Sequence, residues 1–224
     1  MNLALFDLDN TLLSGDTDVE WYAFLSDQGV VSAADQQASQ EMDRRYRAGV
    51  ASALEYVRYY LQPYRRHDMK QLVAWREAFM RERIAPRVLP AARELLRSHA
   101  GDLVVIITAT NRFLTEPIAR AFAVEHLIAT EPQIVDDRFT GDVHGTPCMR
   151  EGKIERLQAW LSERGESLSA FAESWFYSDS INDLPLLEKV THPVAVDPDA
   201  QLEEHARRRG WRSISLRAPR AGAR

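Results

Sequence analysis

Cysteine is almost missing: the 224 residues hold one, Cys148. A single thiol makes no internal disulfide, which removes the disulfide-stapled secreted scaffolds. Histidine is scarce as well, six in all and at no metal-like spacing, so a His/Cys metal cluster has no sequence support. No apolar run approaches the roughly 20 residues that span a bilayer. No internal repeat is visible, and Met1 to Asp7 lacks a basic n-region and meets an acid at Asp7, so it is not read as a signal peptide. Positive charge is not in excess: 28 Lys and Arg stand against 33 Asp and Glu, a net charge of −5. That balance argues against nucleic acid or an anionic membrane as partner. The expectation is a soluble cytoplasmic protein acting on a small molecule. With 45% hydrophobic residues, it has enough for one sizeable core, or a core plus a small accessory domain.

What is present alternates. Leu3 to Leu8 reads as a short buried strand ending in acids. The next equally clear strand, Leu103 to Ile107, comes far later, and the stretch between looks helical. Val19, Trp21, Tyr22, Phe24 and Leu25 form one apolar face, Ser52 and Glu55 a possible capping box, and Asp68 to Arg83 another amphipathic helix. Residues 16–85 are therefore read as a helical cap inserted after the first strand, with 1–15 and 86–224 as the catalytic core. Strand and helix then follow one another: helix Pro90–His99, strand Leu103–Ile107, helix Glu116–Ala123, strand His126–Thr130, a hairpin over 133–143 turning at Asp136-Asp137, helix Lys153–Arg164, strand Glu173–Tyr177, strand Pro193–Val196, helix Asp199–Arg209 and strand Ser213–Leu216. This pattern predicts an α/β fold with a Rossmann-like, three-layer, mainly parallel sheet. The arginine-containing tail beyond Leu216 is read as frayed.

In such sheets ligands bind outside the carboxyl ends of the strands. Asp7, Asp9 and Thr11 follow the first strand; Thr108, Thr110 and Asn111 follow the second; Asp179 and Asp183 follow the Trp175-Phe176-Tyr177 strand; Lys153 opens the helix before it. Brought together, four carboxylates repel one another, and a divalent cation relieves that repulsion. Oxygen donors without Cys or His favour magnesium, which often shares its shell with a substrate phosphate. A carboxylate nucleophile, a lysine spreading charge, a threonine donor and a second carboxyl two residues on for acid–base work make a phosphoryl-transfer set.

These residues resemble the haloacid dehalogenase superfamily. Asp7-Leu8-Asp9-Asn10-Thr11 matches its DxDxT signature, Ile107-Thr108 its second motif, Lys153 its third, and Asp179-Ser180-Ile181-Asn182-Asp183 its fourth, all in family order. The helical insert resembles the phosphoserine-phosphatase-like branch, subfamily IB. The resemblance implies Asp7 as nucleophile and magnesium ligand, and Asp9 as general acid/base whose backbone carbonyl also meets the metal. It implies Thr108 and Lys153 as holders of the phosphoryl oxygens, Asp179 as direct ligand, and Asp183 acting at the metal through water or orienting Lys153. Asn182 is implied as a phosphoryl contact. An acid at Asp9 favours phosphoryl transfer over dehalogenation. The product would be a Mg2+-dependent phosphomonoester hydrolase working through an aspartyl-phosphate. A phosphomutase, or a non-hydrolytic phospho-Asp receiver-like module, is the alternative.

Specificity is expected from the cap. Asp16 lies where the branch recognises a substrate amine, and Asp18 is close by; both also read as caps of the helix containing Trp21. The second motif continues Thr108-Ala109-Thr110-Asn111 where phosphoserine phosphatases carry paired glycines. That departure points away from phosphoserine itself and toward an amino-alcohol phosphate such as histidinol phosphate. Arg44, Arg45, Arg47 and Arg58 are the candidates for a substrate carboxylate. The aromatics Trp21, Tyr22, Phe24, Tyr56, Tyr59, Tyr60 and Trp75 are read mostly as cap core, and Thr11 as structural.

Overall fold

A computed structural model describes residues 1–217, the side chains of Ala33 and Arg47 excepted; the tail residues 218–224 lie outside the described residues. The chain opens with β1 (Leu3–Phe6), every residue of which is buried. Four helices follow: α1 (Thr17–Asp27), α2 (Ala33–Arg47), α3 (Ala53–Leu61) and α4 (Met69–Phe79). Their starts are written locally. Asp16, Ser32, Ser52 and Asp68 each accept from the backbone N–H three residues on, and Ser32 and Ser52 form complete capping boxes with Asp35 and Glu55. After α4 the chain continues through a π-turn, Met80–Ile84, and a 3-10 turn, Ala85–Arg87. The helical run thus ends at Arg87, two residues past the expected boundary. It leaves and rejoins the rest at one place: Leu13 pairs with Val88, and the Ser14 N–H donates to the Arg87 carbonyl at 2.8 Å.

The remainder alternates as expected: α5 (Pro90–Ser98), β2 (Leu103–Asn111), α6 (Arg112–Ala121), β3 (His126–Thr130), the hairpin β4 (Pro132–Val135) and β5 (Arg138–Val143), α7 (Glu151–Ser162), β6 (Ser174–Ser178), α8 (Leu184–Leu187), β7 (His192–Val196), α9 (Ala200–Arg209) and β8 (Arg212–Ile214). Asp136 and Asp137 both take positive φ, the backbone of a two-residue hairpin turn.

Six strands form one sheet in the order β3-β2-β1-β6-β7-β8, and every pairing in it is parallel. Period-two alternation sorts the side chains. Ala4, Phe6, Ile106 and Tyr177 face the core shared with α1 to α6; Leu3, Leu5, Val105 and Phe176 face the core shared with α7, α8 and α9. The strand order changes direction at β1, so the carboxyl ends of β1, β2 and β6 lie side by side, where such sheets bind ligands.

Several expected boundaries move by a residue or two, and two near the sheet end move further, each for a local reason. β2 runs to Asn111 rather than Ile107, because Thr108 and Asn111 still pair with β3 across an irregularity. α6 begins at Arg112 rather than Glu116, because the Asn111 side chain accepts from the Leu114 N–H at 3.3 Å and caps it. Pro117 inside α6 supplies no N–H to the Phe113 carbonyl. The Arg76 guanidinium of α4 donates to that carbonyl instead, at 2.9 Å, and lies 4.4 Å over the Phe113 ring. The helix break thus becomes an attachment point for the helical segment. A second one is Arg58 of α3, paired with Asp142 of β5 through two bonds of 2.9 Å.

Candidate active site

Lys153 is the centre of the arrangement. It sits in the first turn of α7, 2% exposed, with Nζ 2.7 Å from Asp7 Oδ1 and 2.6 Å from Asp183 Oδ2. Gly152 makes this placement possible: a Cβ there would stand 2.1 Å from the Pro147 carbonyl oxygen, so only glycine lets the turn pack this closely. Asp183 also accepts from the Ser178 hydroxyl at 2.7 Å. Burial alone would lower the Lys153 ammonium, but the Asp183 and Asp7 carboxylates hold it well above its usual value.

Asp7 directly follows β1, its backbone N–H donating to the Tyr177 carbonyl at 2.9 Å. Asp179 follows β6. Thr11 ties the two loops: its hydroxyl is 3.4 Å from Asp7 Oδ2 and 3.3 Å from Asp179 Oδ1, and it accepts from the Asp179 N–H at 3.1 Å. Burial pushes Asp7 up to about 6 against the pull of Lys153. Burial, with the Asp7 and Asp183 charges added, pushes Asp179 to about 8. Two carboxylates that face each other and resist ionisation make a site short of positive charge.

Asp9 points elsewhere. Its Oδ1 accepts from the Thr17 backbone N–H at 2.8 Å and from the Thr17 hydroxyl; its Oδ2 accepts from the Thr110 hydroxyl at 2.7 Å. Burial, then the neighbouring Asp16, pushes it to about 7, a value suited to both giving and taking a proton near neutrality. Thr108, 1% exposed, accepts from the Thr110 N–H at 3.2 Å.

A cavity of about 550 Å³ opens over these groups. Asp7, Asp9, Thr108, Ala109, Thr110, Lys153, Asp179, Asn182 and Asp183 all line it, so residues up to 176 positions apart in the chain are brought together. Asp16 lines it too while capping α1 by accepting from the Val19 N–H at 3.0 Å. Asn111 does not reach the wall. Expected as a substrate contact, it is 3% exposed, caps α6, and turns its amide toward Tyr64 Oη at 3.3 Å and Asp18 Oδ1 at 3.5 Å. Of the expected carboxylate-binding arginines, Arg44, Arg45 and Arg58 are likewise absent from the wall. Arg44 pairs with Glu41 and Arg58 with Asp142, Arg45 does not line the cavity, and the side chain of Arg47 lies outside the described set.

Sequence reasoning missed four contributors. Thr17 holds Asp9, Asp43 of α2 joins Asp16 and Asp18 in the cavity, Tyr46 of α2 lines it beside Tyr56, and Arg150 stands before α7. Asp18 is held well above the carboxylate range by burial and by Asp16, Asp9 and Asp43 together. Asp43 accepts from the Tyr60 hydroxyl at 2.7 Å. An alternation of acids and tyrosines on α2 and α3 was the available signal, but it does not say which face meets the sheet.

The donors at Asp7 and Asp179 are hard oxygens. Among the described residues no three His, Cys, Asp or Glu side chains converge as a ready nest for an ion. The set that suits magnesium is therefore the two carboxylates astride Thr11, with remaining positions for backbone oxygen, water and substrate.

Comparison with known proteins gives a consistent picture. The family model for haloacid dehalogenase-like hydrolases matches residues 4–188. A histidinol-phosphatase of Neisseria meningitidis is 42% identical over 96% of this chain and 99% of its own. A phosphoserine phosphatase of Mycobacterium tuberculosis is 32% identical over 99% of this chain and 73% of its own. A crystal structure of a protein of unknown function from Bordetella pertussis superposes with a TM-score of 0.92 at 46% identity, covering 96% of this chain and 99% of that one. A substrate-bound phosphoserine phosphatase shares the fold at a TM-score of 0.66 and 18% identity, over 90% of this chain and 89% of its own. No helix among the described residues is long and apolar enough to cross a membrane.

Proposed function

The chain belongs to the haloacid dehalogenase-like hydrolases and is a phosphatase of that family, and from that premise we propose that it hydrolyses a small amino-alcohol phosphate of the histidinol-phosphate type, with Asp7 as nucleophile and magnesium as cofactor. The observation that carries the chemistry is the buried Asp7–Lys153–Asp183 contact at the end of β1.

Asp7 attacks phosphorus, the Asp7–phosphorus bond forms, and the bond to the leaving oxygen breaks. Asp9, protonated near its value of about 7, gives its proton to that oxygen. Asp9 then takes a proton from water, whose oxygen attacks the same phosphorus; inorganic phosphate leaves and Asp7 is regenerated. Lys153 holds Asp7 and faces the charge on the transferring group, and Asp183 and Ser178 fix Lys153 in turn. The Thr108 hydroxyl accepts from Thr110, which leaves its hydrogen for a phosphoryl oxygen. Asp7 and Asp179, with the Asp9 carbonyl, would hold magnesium, which would neutralise charge on the phosphoryl oxygens.

The leaving group meets acids. Asp16, Asp18 and Asp43 line the helix-borne wall of the cavity. A cationic leaving group without a carboxylate fits that wall; phosphoserine would bring a carboxylate against it. The identity with a histidinol-phosphatase over nearly both whole chains supports the same choice. With magnesium present, kcat/KM on histidinol phosphate should exceed that on phosphoserine at least about tenfold, and chelation should stop release of phosphate from both. Equal or reversed preference would overturn the substrate assignment. Substrate loss without matching release of phosphate would point to a phosphomutase.

A further inference from the structure

Tyr46 is 6% exposed, lines the cavity, and buries a hydroxyl whose hydrogen meets no acceptor among the described residues, the Arg150 guanidinium beside it being a donor only. Buried hydroxyls are nearly always bonded, since an unmade bond costs the full desolvation of the group. An orphan on the wall of a substrate cavity is therefore a place where a ligand completes the structure.

The rest of Tyr46 is held firmly. The Arg150 guanidinium lies 4.5 Å over its ring, the Tyr56 ring is 4.6 Å away on centroids, and Arg150 Nη2 donates to the Tyr46 carbonyl at 3.1 Å. Arg150 Nε donates to Asn182 Oδ1 at 3.1 Å, so this one side chain joins α2 to the loop after β6. Arg150 does so from φ 51 and ψ −124, the first central position of a type II′ turn, where glycine is usual. Such conformations persist where the surroundings enforce them, and they cluster at functional sites. A guanidinium can only donate, so whatever its closeness it gives the phenol hydrogen no acceptor. Tyr46 lines the same cavity as Lys153 and Asp183, and Arg150, which covers its ring, is bonded to Asn182 next to Asp183.

We propose that the Tyr46 hydroxyl donates a hydrogen bond to a non-bridging oxygen of the substrate's phosphoryl group, a contact supplied from the helical segment rather than from the sheet, with Arg150 as the residue that positions it. This rests on the phosphatase reading of the same site. It makes substrate binding depend on α2 lying over the strand ends, and it puts a phosphoryl donor outside the four sequence motifs.

The test is Tyr46→Phe in the full chain. The protein should keep its Tm within about 2 °C, because the hydroxyl hydrogen has no acceptor in the protein to lose and the ring stays. Its kcat/KM should fall about ten- to hundredfold on an amino-alcohol phosphate and on a simple aryl phosphate alike, as expected for a hydrogen bond to a charged group. Inorganic phosphate with magnesium, titrated by calorimetry into both proteins, should bind the variant at least about tenfold more weakly. Unchanged kcat/KM overturns the proposal. So does a Tm lower by more than about 2 °C, which would mean that the hydroxyl is already bonded inside the protein. Weaker turnover with unchanged phosphate affinity overturns the phosphoryl assignment. Should the wild type release no phosphate from any ester, the function fails while the phosphate titration still judges Tyr46.

Discussion

At one end of the cavity, Asp7, Thr108 and Asp179 stand at the ends of three adjacent strands, and Lys153 is locked between two carboxylates at 2.7 and 2.6 Å. At the other, Asp16, Asp18 and Asp43 stand on or beside α1 and α2, and the contacts to Asp18 are long, 3.5 Å from Thr110 and 3.5 Å from Asn111. The sheet end is preorganised: Lys153 is already held by two carboxylates, Thr11 ties Asp7 to Asp179, and the backbone is fixed by parallel ladders. The helix end is left incomplete, with carboxylates crowded together and no lysine among them. Reaction chemistry gains from groups that do not move as charge develops. Recognition gains from groups whose repulsion a cationic ligand relieves. Thr110 joins the two ends, donating to Asp9 at 2.7 Å and reaching toward Asp18.

The comparison makes the sheet end indispensable to every substrate. Asp7→Asn removes the attacking carboxylate and leaves the cavity shape unchanged. It should lower kcat at least about 10³-fold on all phosphomonoesters, read as released phosphate. Retained activity on even one simple aryl phosphate would show that this end does not carry the chemistry.

Lys153→Met probes the same end through stability. It leaves Asp7 and Asp183 buried without their cation, and breaking such a pair costs about 3–5 kcal/mol. For a chain of this size the melting temperature should drop by about 6 °C or more. Adding Asp183→Asn removes one of the stranded charges and should recover part of that loss. If Lys153→Met melts like the wild type, the ammonium is not the strut that its two short contacts suggest.

These two ends were not equally legible in the amino-acid sequence. Asp7 and Asp179 were readable because a strand end is a local feature, an apolar run that stops in acids; Lys153 was readable from its place at the start of a helix and from the order of the motifs. The parallel sheet was readable from the same apolar runs. Thr108 came with its strand, although the strand's continuation to Asn111 did not, because polar residues buried against β3 look like a loop in one dimension. The Asn111 side chain was misjudged accordingly. Tyr46, Asp43 and Arg150 were not readable. Their roles depend on how α2 docks over the sheet, and that docking is set by distant contacts such as Arg76 with the carbonyl freed by Pro117, and Arg58 with Asp142. Amphipathic spacing shows that a helix has an inner face; it does not show that one tyrosine of that face meets substrate instead of core.

The helix end is tested by Asp18→Asn, which keeps the shape and removes a charge. Burial and the charges of Asp16, Asp9 and Asp43 hold the Asp18 carboxyl well above its usual range, so the substrate-free protein loses little by the change and its Tm should stay level or rise. A cationic leaving group favours the ionised carboxylate, and the asparagine cannot answer it. The expected result is a fall of about tenfold in kcat/KM on an amino-alcohol phosphate, the size of one charge-assisted contact. On a neutral aryl phosphate, which brings no cation, the change should stay within about twofold. That contrast separates the ends: a loss shared equally by both substrates would place Asp18 with the reacting groups, acting through Thr110 on Asp9, and the division between a finished sheet end and an unfinished helix end would have to be abandoned.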